Sequence, residues 1–255
     1  MSKYLIVANW KMNPLRQSDA YVLASRVEDG YLKFGKNVDV VICPPFPYIA
    51  VVSTAVKKIK YGAQNTFWAE KGAYTGEVSP AQLRDIGATH VILGHSERRI
   101  HLGETDEMVN KKVRAALDHG LSTILCIGES EREDGEIPAI VGEELVSALA
   151  GVKKQLLKNL IVCYEPVWAI STGKNARPDT PDSAFRAVLF IRKIITGLYD
   201  RKTADLLRII YGGSVRKDNL YGFLTEGKMQ GALVGGAGLD ADEFTGIIEI
   251  ASRAR

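Results

Sequence analysis

The sequence predicts an α/β fold, a (β/α)8 barrel of eight parallel strands ringed by helices, with residues 1–255 forming one domain. Three observations predict it. The chain has 255 residues, and one such barrel typically needs ~250. Eight short apolar runs, rich in β-branched residues, recur along it. Amphipathic segments with recognisable helix ends lie between the runs.

The runs are Tyr4–Ala8, Val38–Cys43, Lys60–Ala63, His90–Leu93, Leu121–Ile127, Leu160–Tyr164, Arg208–Tyr211 and Gly231–Val234. Their apolar character is nearly continuous and does not alternate, as expected of strands buried on both faces of a parallel sheet. Ser79-Pro80 supplies an N-cap and a first-turn proline, and Gly87 ends that helix. A longer amphipathic stretch starts near Asp106 and stops at Gly120. Thr180-Pro181 opens another helix, and Asp240 with Glu243 three residues on resembles a capping box. An open, doubly wound sheet is the alternative arrangement of the same elements. No low-complexity stretch or Pro/Gly-rich linker divides the chain.

A hydrophobic fraction of 46% is enough for a sizeable core, and 33 basic against 30 acidic residues leave a formal charge of +3. No basic block stands apart, which argues against nucleic acid as a partner. No apolar stretch reaches the ~18 residues of a membrane span. Cys43, Cys126 and Cys163 each end an apolar run and are read as buried, reduced thiols, with a single disulfide as the alternative. Together these features predict a soluble, cytoplasmic protein.

In a barrel of this kind function gathers at the C-terminal ends of the strands. Asn9 and Lys11 follow the first strand, Gln64 and Asn65 the third, and Gly94, His95, Ser96 and Glu97 the fourth. Glu129 follows the fifth and Glu165 the sixth. Gly212-Gly213-Ser214 and Gly235-Gly236 follow the last two. Glycines there let backbone N–H groups approach an anion, and the loops after strands seven and eight are a common phosphate site. Glu165, flanked by Tyr164 and Pro166, is placed to act as a general base. A structural ion pair is the other reading. His95 stands where a short helix begins, which favours a neutral imidazole able to donate to a carbonyl. Lys11 offers a mobile positive charge to a substrate anion. Taken singly, each also fits a solvated or locally bonded side chain. His90, His101 and His119 have no metal-ligand spacing and are read as structural or solvated.

Seven segments together resemble the triosephosphate isomerase family. They are Asn9–Asn13 (NWKMN), Gly76–Ser79 (GEVS), Leu93–Arg99 (LGHSERR), Cys126–Glu129 (CIGE), Tyr164–Ile170 (YEPVWAI), Tyr211–Val215 (YGGSV) and Leu233–Ala237 (LVGGA). They stand in the family's order and cover all but the ends of the chain. The resemblance implies a TIM barrel that interconverts dihydroxyacetone phosphate and D-glyceraldehyde 3-phosphate without metal or cofactor. It implies Glu165 as base, His95 as neutral electrophile, Lys11 as support for the enediolate charge, and Asn9 as a positioning group. Glu97 is implied to order the site's base. Ser171, Ser214, Gly235 and Gly236 would hold the phosphate, and Pro166–Ala176 would form a closing lid. A homodimer is implied, with the Gln64–Gly76 loop and Thr75 reaching toward the neighbour's Asn9 and Lys11, and an unpartnered chain would expose Phe67, Trp68 and Tyr74.

Against the family pattern, Ser171 stands for a lid glycine, Gln230 for an acid and Gly238 for a serine. Pro14 lies near the expected dimer contact, and the segment after Gly128 is shortened. Two other functions fit phosphate loops on a barrel, an isomerase of larger sugar phosphates and a non-catalytic phosphate binder. The joint presence of Lys11, His95 and Glu165 favours the triose reaction over both.

Overall fold

Eight parallel strands close on themselves in chain order, β1 through β8, in a computed structural model that describes residues 3–132, 135–170 and 177–254. The strands are β1 (Tyr4–Asn9), β2 (Val38–Cys43), β3 (Lys60–Ala63), β4 (His90–Leu93), β5 (Ser122–Ile127), β6 (Leu160–Tyr164), β7 (Arg208–Tyr211) and β8 (Gly231–Val234). Closure is made by β1 and β8, in register from Leu5 opposite Gly231 to Ala8 opposite Val234. The barrel bears out the fold expected above. Two strand ends differ from the expected ones. β1 runs one residue further, because Asn9 still pairs with Cys43 of β2. β5 begins at Ser122, because the Leu121 amide is used by the preceding helix, donating to the Ala116 carbonyl at 3.0 Å.

Around the strands lie α1 (Gln17–Phe34), α2 (Ile49–Ala55), α3 (Pro80–Asp85), α4 (Ser96–Leu102), α5 (Asp106–Asp118), α6 (Ala139–Leu149), α7 (Pro181–Leu198), α8 (Arg201–Leu206), α9 (Leu220–Thr225) and α10 (Ala241–Arg253). Two connections, β4 to β5 and β6 to β7, carry two α-helices each. In the second, the Asp200 side chain accepts from the Thr203 amide at 2.8 Å and starts a new helix where α7 stops. Ser79 and Thr180 cap their helices as expected, and Ser79 forms a full capping box with Gln82. At α10 the box is incomplete. Asp240 accepts from the Asp242 and Glu243 amides, but the Glu243 carboxylate accepts from the Lys217 amide at 3.0 Å instead of reaching back. Glu243 therefore ties the loop after β7 to the start of α10.

Alternation along the strands sorts the core into two parts. Residues such as Ile6, Ala8, Val40 and Ile42 face the helices in the larger cluster. Leu5, Val7, Val41, Cys43, Ile92, Ile124, Cys126, Ile161, Cys163, Ile210 and Leu233 fill the lumen in the smaller one. All three cysteines are free and lie in this lumen cluster, as the apolar runs before them predict. Burial pushes their thiols up, so they stand protonated.

The lumen's N-terminal end is polar. His90 opens β4, is buried, and is pushed down to about 3 from 6.5 by burial and by the positive charges of Lys60 and Arg208. An unfolded imidazole takes up a proton as pH falls through 6.5, whereas the folded one does not until about 3. The stability from this group is therefore complete above the higher value and is lost as pH falls toward the lower. At about pH 5 the loss is about 2 kcal/mol, at ~1.4 kcal/mol per pH unit. Denaturant unfolding near neutrality and near pH 5 checks this: His90→Gln loses less stability over that interval than the parent by about that amount. An identical pH dependence in both proteins would remove His90 from the account.

Candidate active site

The rim at the C-terminal ends of the strands begins just past β1. Lys11 has a φ of 54°, a left-handed conformation that costs a residue other than glycine roughly 1–2 kcal/mol. Neighbours hold it there. The Asn9 side-chain oxygen accepts from the Lys11 amide at 3.0 Å, and Gln64 Nε2 donates to the Lys11 carbonyl at 2.8 Å and to the Cys43 carbonyl at 2.9 Å. The ammonium group is thereby aimed inward, where it donates to Glu97 Oε1 at 2.6 Å. A Cβ built on Gly235 would lie 3.4 Å from Lys11 Cε and 3.7 Å from Nζ. The cation thus sits directly over the backbone of the loop after β8.

His95 caps α4. Its Nδ1 accepts from the Glu97 amide at 3.2 Å, so a neutral ring carries its proton on Nε2. Nε2 lies 3.3 Å from Glu165 Oε1. Glu165 follows β6 and is buried; its Oε2 accepts from the Ser96 amide at 3.1 Å, while Oε1 has no hydrogen-bond partner. Glu104 Oε2 and Glu129 Oε2 are likewise without a partner, so what sets Glu165 apart is the His95 ring beside its free oxygen. The Cys126 and Cys163 thiols approach the same carboxylate, the three ligand atoms lying within 4.8 Å of one another. A Cβ on Gly212 would come within 2.7 Å of Glu165 Cγ and 2.6 Å of Cys163 Sγ, so only glycine leaves the Glu165 side chain its space.

Asn9, Lys11, His95, Ser214, Gly235 and Gly236 line one cavity of about 440 Å³, a size suited to a small metabolite. Two predicted residues stand behind its wall. Glu165 lines a smaller adjoining cavity of about 190 Å³, with Ser96 and Gly128, and meets the larger one through His95. Glu97 acts on it through Lys11. Ser171, and with it Pro166–Ala176 beyond Ile170, lies outside the described residues. Gln64, Ser96 and Gly213 are placed on the rim by sequence but given no individual role. Gln64 and Gly213 were detectable as residues just past a strand. The Ser96 amide carries no side-chain signal, since its role depends on a contact 69 residues away.

Glu129, two residues past the end of β5, serves the approach to this rim. It accepts from Tyr164 Oη at 2.7 Å and from Trp168 Nε1 at 3.0 Å, with Arg132 Nη2 at 2.8 Å. This anchors the segment that follows Glu165.

Comparison with known proteins agrees with that geometry. A family model described as triosephosphate isomerase matches residues 4–251. A protein named triosephosphate isomerase from Caldanaerobacter subterraneus subsp. tengcongensis is 46% identical over 252 residues, covering 97% of this chain and 99% of the relative. One of the same name from Carboxydothermus hydrogenoformans is 46% identical over 253 residues, covering 98% and 99%. Another, from Dictyoglomus thermophilum, is 41% identical over 255 residues, covering 98% and 100%. With the family model spanning nearly the whole chain, and such identity sustained from end to end, the chain belongs to the triosephosphate isomerase family.

Proposed function

We propose that the chain interconverts dihydroxyacetone phosphate and D-glyceraldehyde 3-phosphate, the aldose–ketose isomerisation of glycolysis and gluconeogenesis, in one catalytic domain. The carrying observation is the unpaired Glu165 Oε1 beside His95 Nε2, on a rim shared with Lys11 and two glycine loops. Glu165 takes the carbon-bound proton from the ketose and returns it to the neighbouring carbon. His95 donates from Nε2 to the oxygen on which negative charge grows. The Lys11 ammonium stabilises that charge and the phosphate, with Asn9 and Glu97 fixing its position. The backbone amides at Ser214, Gly235 and Gly236, with Ser171 in the lid, hold the phosphate. Fixed dipoles and one cation suffice for an enediolate, so the reading needs no metal or cofactor. A coupled assay of both triose phosphates, with no added metal or cofactor, should give interconversion; inactivity in freshly folded protein would reject the reading.

The working form is proposed to be a cytoplasmic homodimer. Among the described residues no helix is long and apolar enough to cross a membrane. The Gln64–Gly76 loop is self-packed: Phe67 stacks on Trp68 at 3.9 Å and meets Tyr74 at 4.5 Å. That arrangement corrects the expectation that all three aromatics stand exposed, because Phe67 and Trp68 half-bury each other and Tyr74 alone is exposed, at 48%. The stronger support comes from the loop after β1, where Met12 is 88% and Leu15 89% exposed. Such apolar exposure on ordered loops suits a covering partner. Gln64 bonds the Lys11 carbonyl, so a partner seated on these loops, with Thr75 facing its site, would brace Lys11 as well. Light scattering should give twice the chain mass or a multiple of the dimer; a fully active monomer would contradict this.

A further inference from the structure

The N-terminal end of the lumen takes no part in the reaction above, yet it opens into a cavity of about 740 Å³, larger than the catalytic one. By strand alternation its inner layer is Asp39 of β2, Lys60 of β3, His90 of β4, Ser122 of β5 and Arg208 of β7, one step below Val41, Ile92, Ile124 and Ile210 of the lumen core. Lys154, Lys158 and Lys202 surround the mouth. Five cations therefore share the cavity with one carboxylate in its lining, Asp39, which lies 3.5 Å from Arg208. Asp200 pairs with Lys154. Among the described residues, Lys60, Lys158 and Lys202 have no carboxylate within 4.0 Å. Beside this layer, Arg192 donates to the Ala204 carbonyl and to Gln230 Oε1, the latter at 3.4 Å, with Asp205 as the nearby acid. The charge at this end is thus uncompensated on several elements at once.

His90 makes the layer more than a set of surface lysines. The Thr89 hydroxyl oxygen lies 2.8 Å from His90 Nδ1 and 3.1 Å from the Tyr61 carbonyl, to which the Thr89 amide also donates at 3.0 Å. With that carbonyl served by the amide, the hydroxyl is free to donate to Nδ1, and a neutral ring bonded in this way carries its proton on Nε2. His90 also lines the cavity whose other walls carry positive charge. We propose that this N-terminal cavity is a second binding site, for a diphosphate group, held between Lys60 and Arg208 with Lys158 and Lys202 at the mouth. His90, in the same lining, can donate from Nε2–H to the bound anion with no change of protonation. Free pyrophosphate and the diphosphate of a nucleotide share this chemistry.

The test is a titration of histidine-labelled protein with inorganic pyrophosphate near neutral pH, following ring nitrogens by NMR. A saturable shift of the His90 ring nitrogens is expected, with affinity falling about tenfold or more in Lys60→Gln/Lys158→Gln, as loss of charge-assisted bonds implies. Both lysines are exposed, so this variant should fold, and unchanged isomerase activity would confirm that it has. No movement at His90 at millimolar pyrophosphate, movement confined to His95, or equal affinity in the variant would each overturn the proposal. A nucleoside diphosphate binding more tightly than pyrophosphate would support a nucleotide as the source, and the reverse order would support the free anion.

Discussion

Glu165→Gln is expected to lower turnover by at least about a hundredfold while leaving phosphate affinity nearly unchanged, because general-base catalysis contributes ~10²–10⁴-fold. The substitution is nearly isosteric. A glutamine oxygen can keep the bond from the Ser96 amide that now goes to Oε2, and the space left by Gly212 accommodates either side chain. What glutamine lacks is the basicity of the unpaired Oε1 beside His95. The phosphate loops after β7 and β8 make no hydrogen bond to that oxygen, so inhibition by inorganic phosphate should be retained. Steady-state kinetics with both substrates, together with phosphate inhibition, separates the two effects. Turnover near that of the parent would show that another group takes the proton, and weakened phosphate inhibition would show that the loops had moved.

Much of this site follows from strand placement. Once an apolar run is recognised as a barrel strand, the next residues must lie on the rim, which is how Asn9, Lys11, His95, Glu165 and the two glycine loops come into view. The caps at Ser79 and Thr180 are equally local, since a side chain and an amide three residues on are enough to make them. Relations between strands are less accessible. Nothing near Glu165 in sequence says that its carboxylate is held by the Ser96 amide. The left-handed Lys11 depends on Gln64 from another connection. Glu243 looks like half of a capping box until Lys217 is brought beside it. His90 illustrates a different gap. Its spacing excludes a familiar metal motif, so it reads as bland. Only the closed barrel, which buries the ring and brings Lys60 and Arg208 to it from β3 and β7, shows how strongly its charge is opposed.

Lys11→Met is expected to reduce kcat/KM by about a hundredfold or more, the scale seen when one group that stabilises developing oxyanion charge is removed. Two causes could produce such a loss, and the structure makes them separable. The first is direct: the ammonium lies over Gly235 in the cavity and offers the one cation that the Asn9 and Gln64 contacts actively aim inward. The second is indirect. Lys11 neutralises Glu97 across 2.6 Å, and removing it leaves a carboxylate near an anionic substrate. With the Glu97 side chain 37% and that of Lys11 21% exposed, solvent screens the pair, which limits the repulsion that a stranded Glu97 can exert. Lys11→Met/Glu97→Gln should therefore regain no more than about tenfold, equivalent to ~1.4 kcal/mol, and most of the loss should persist. Added salt should help the single variant more than the double one, because only the former leaves an unpaired charge to screen. If the double variant instead returned to nearly full activity, the ammonium would be needed only to silence Glu97, and the charge on the reacting oxygen would have to be carried by His95 and the backbone dipoles alone.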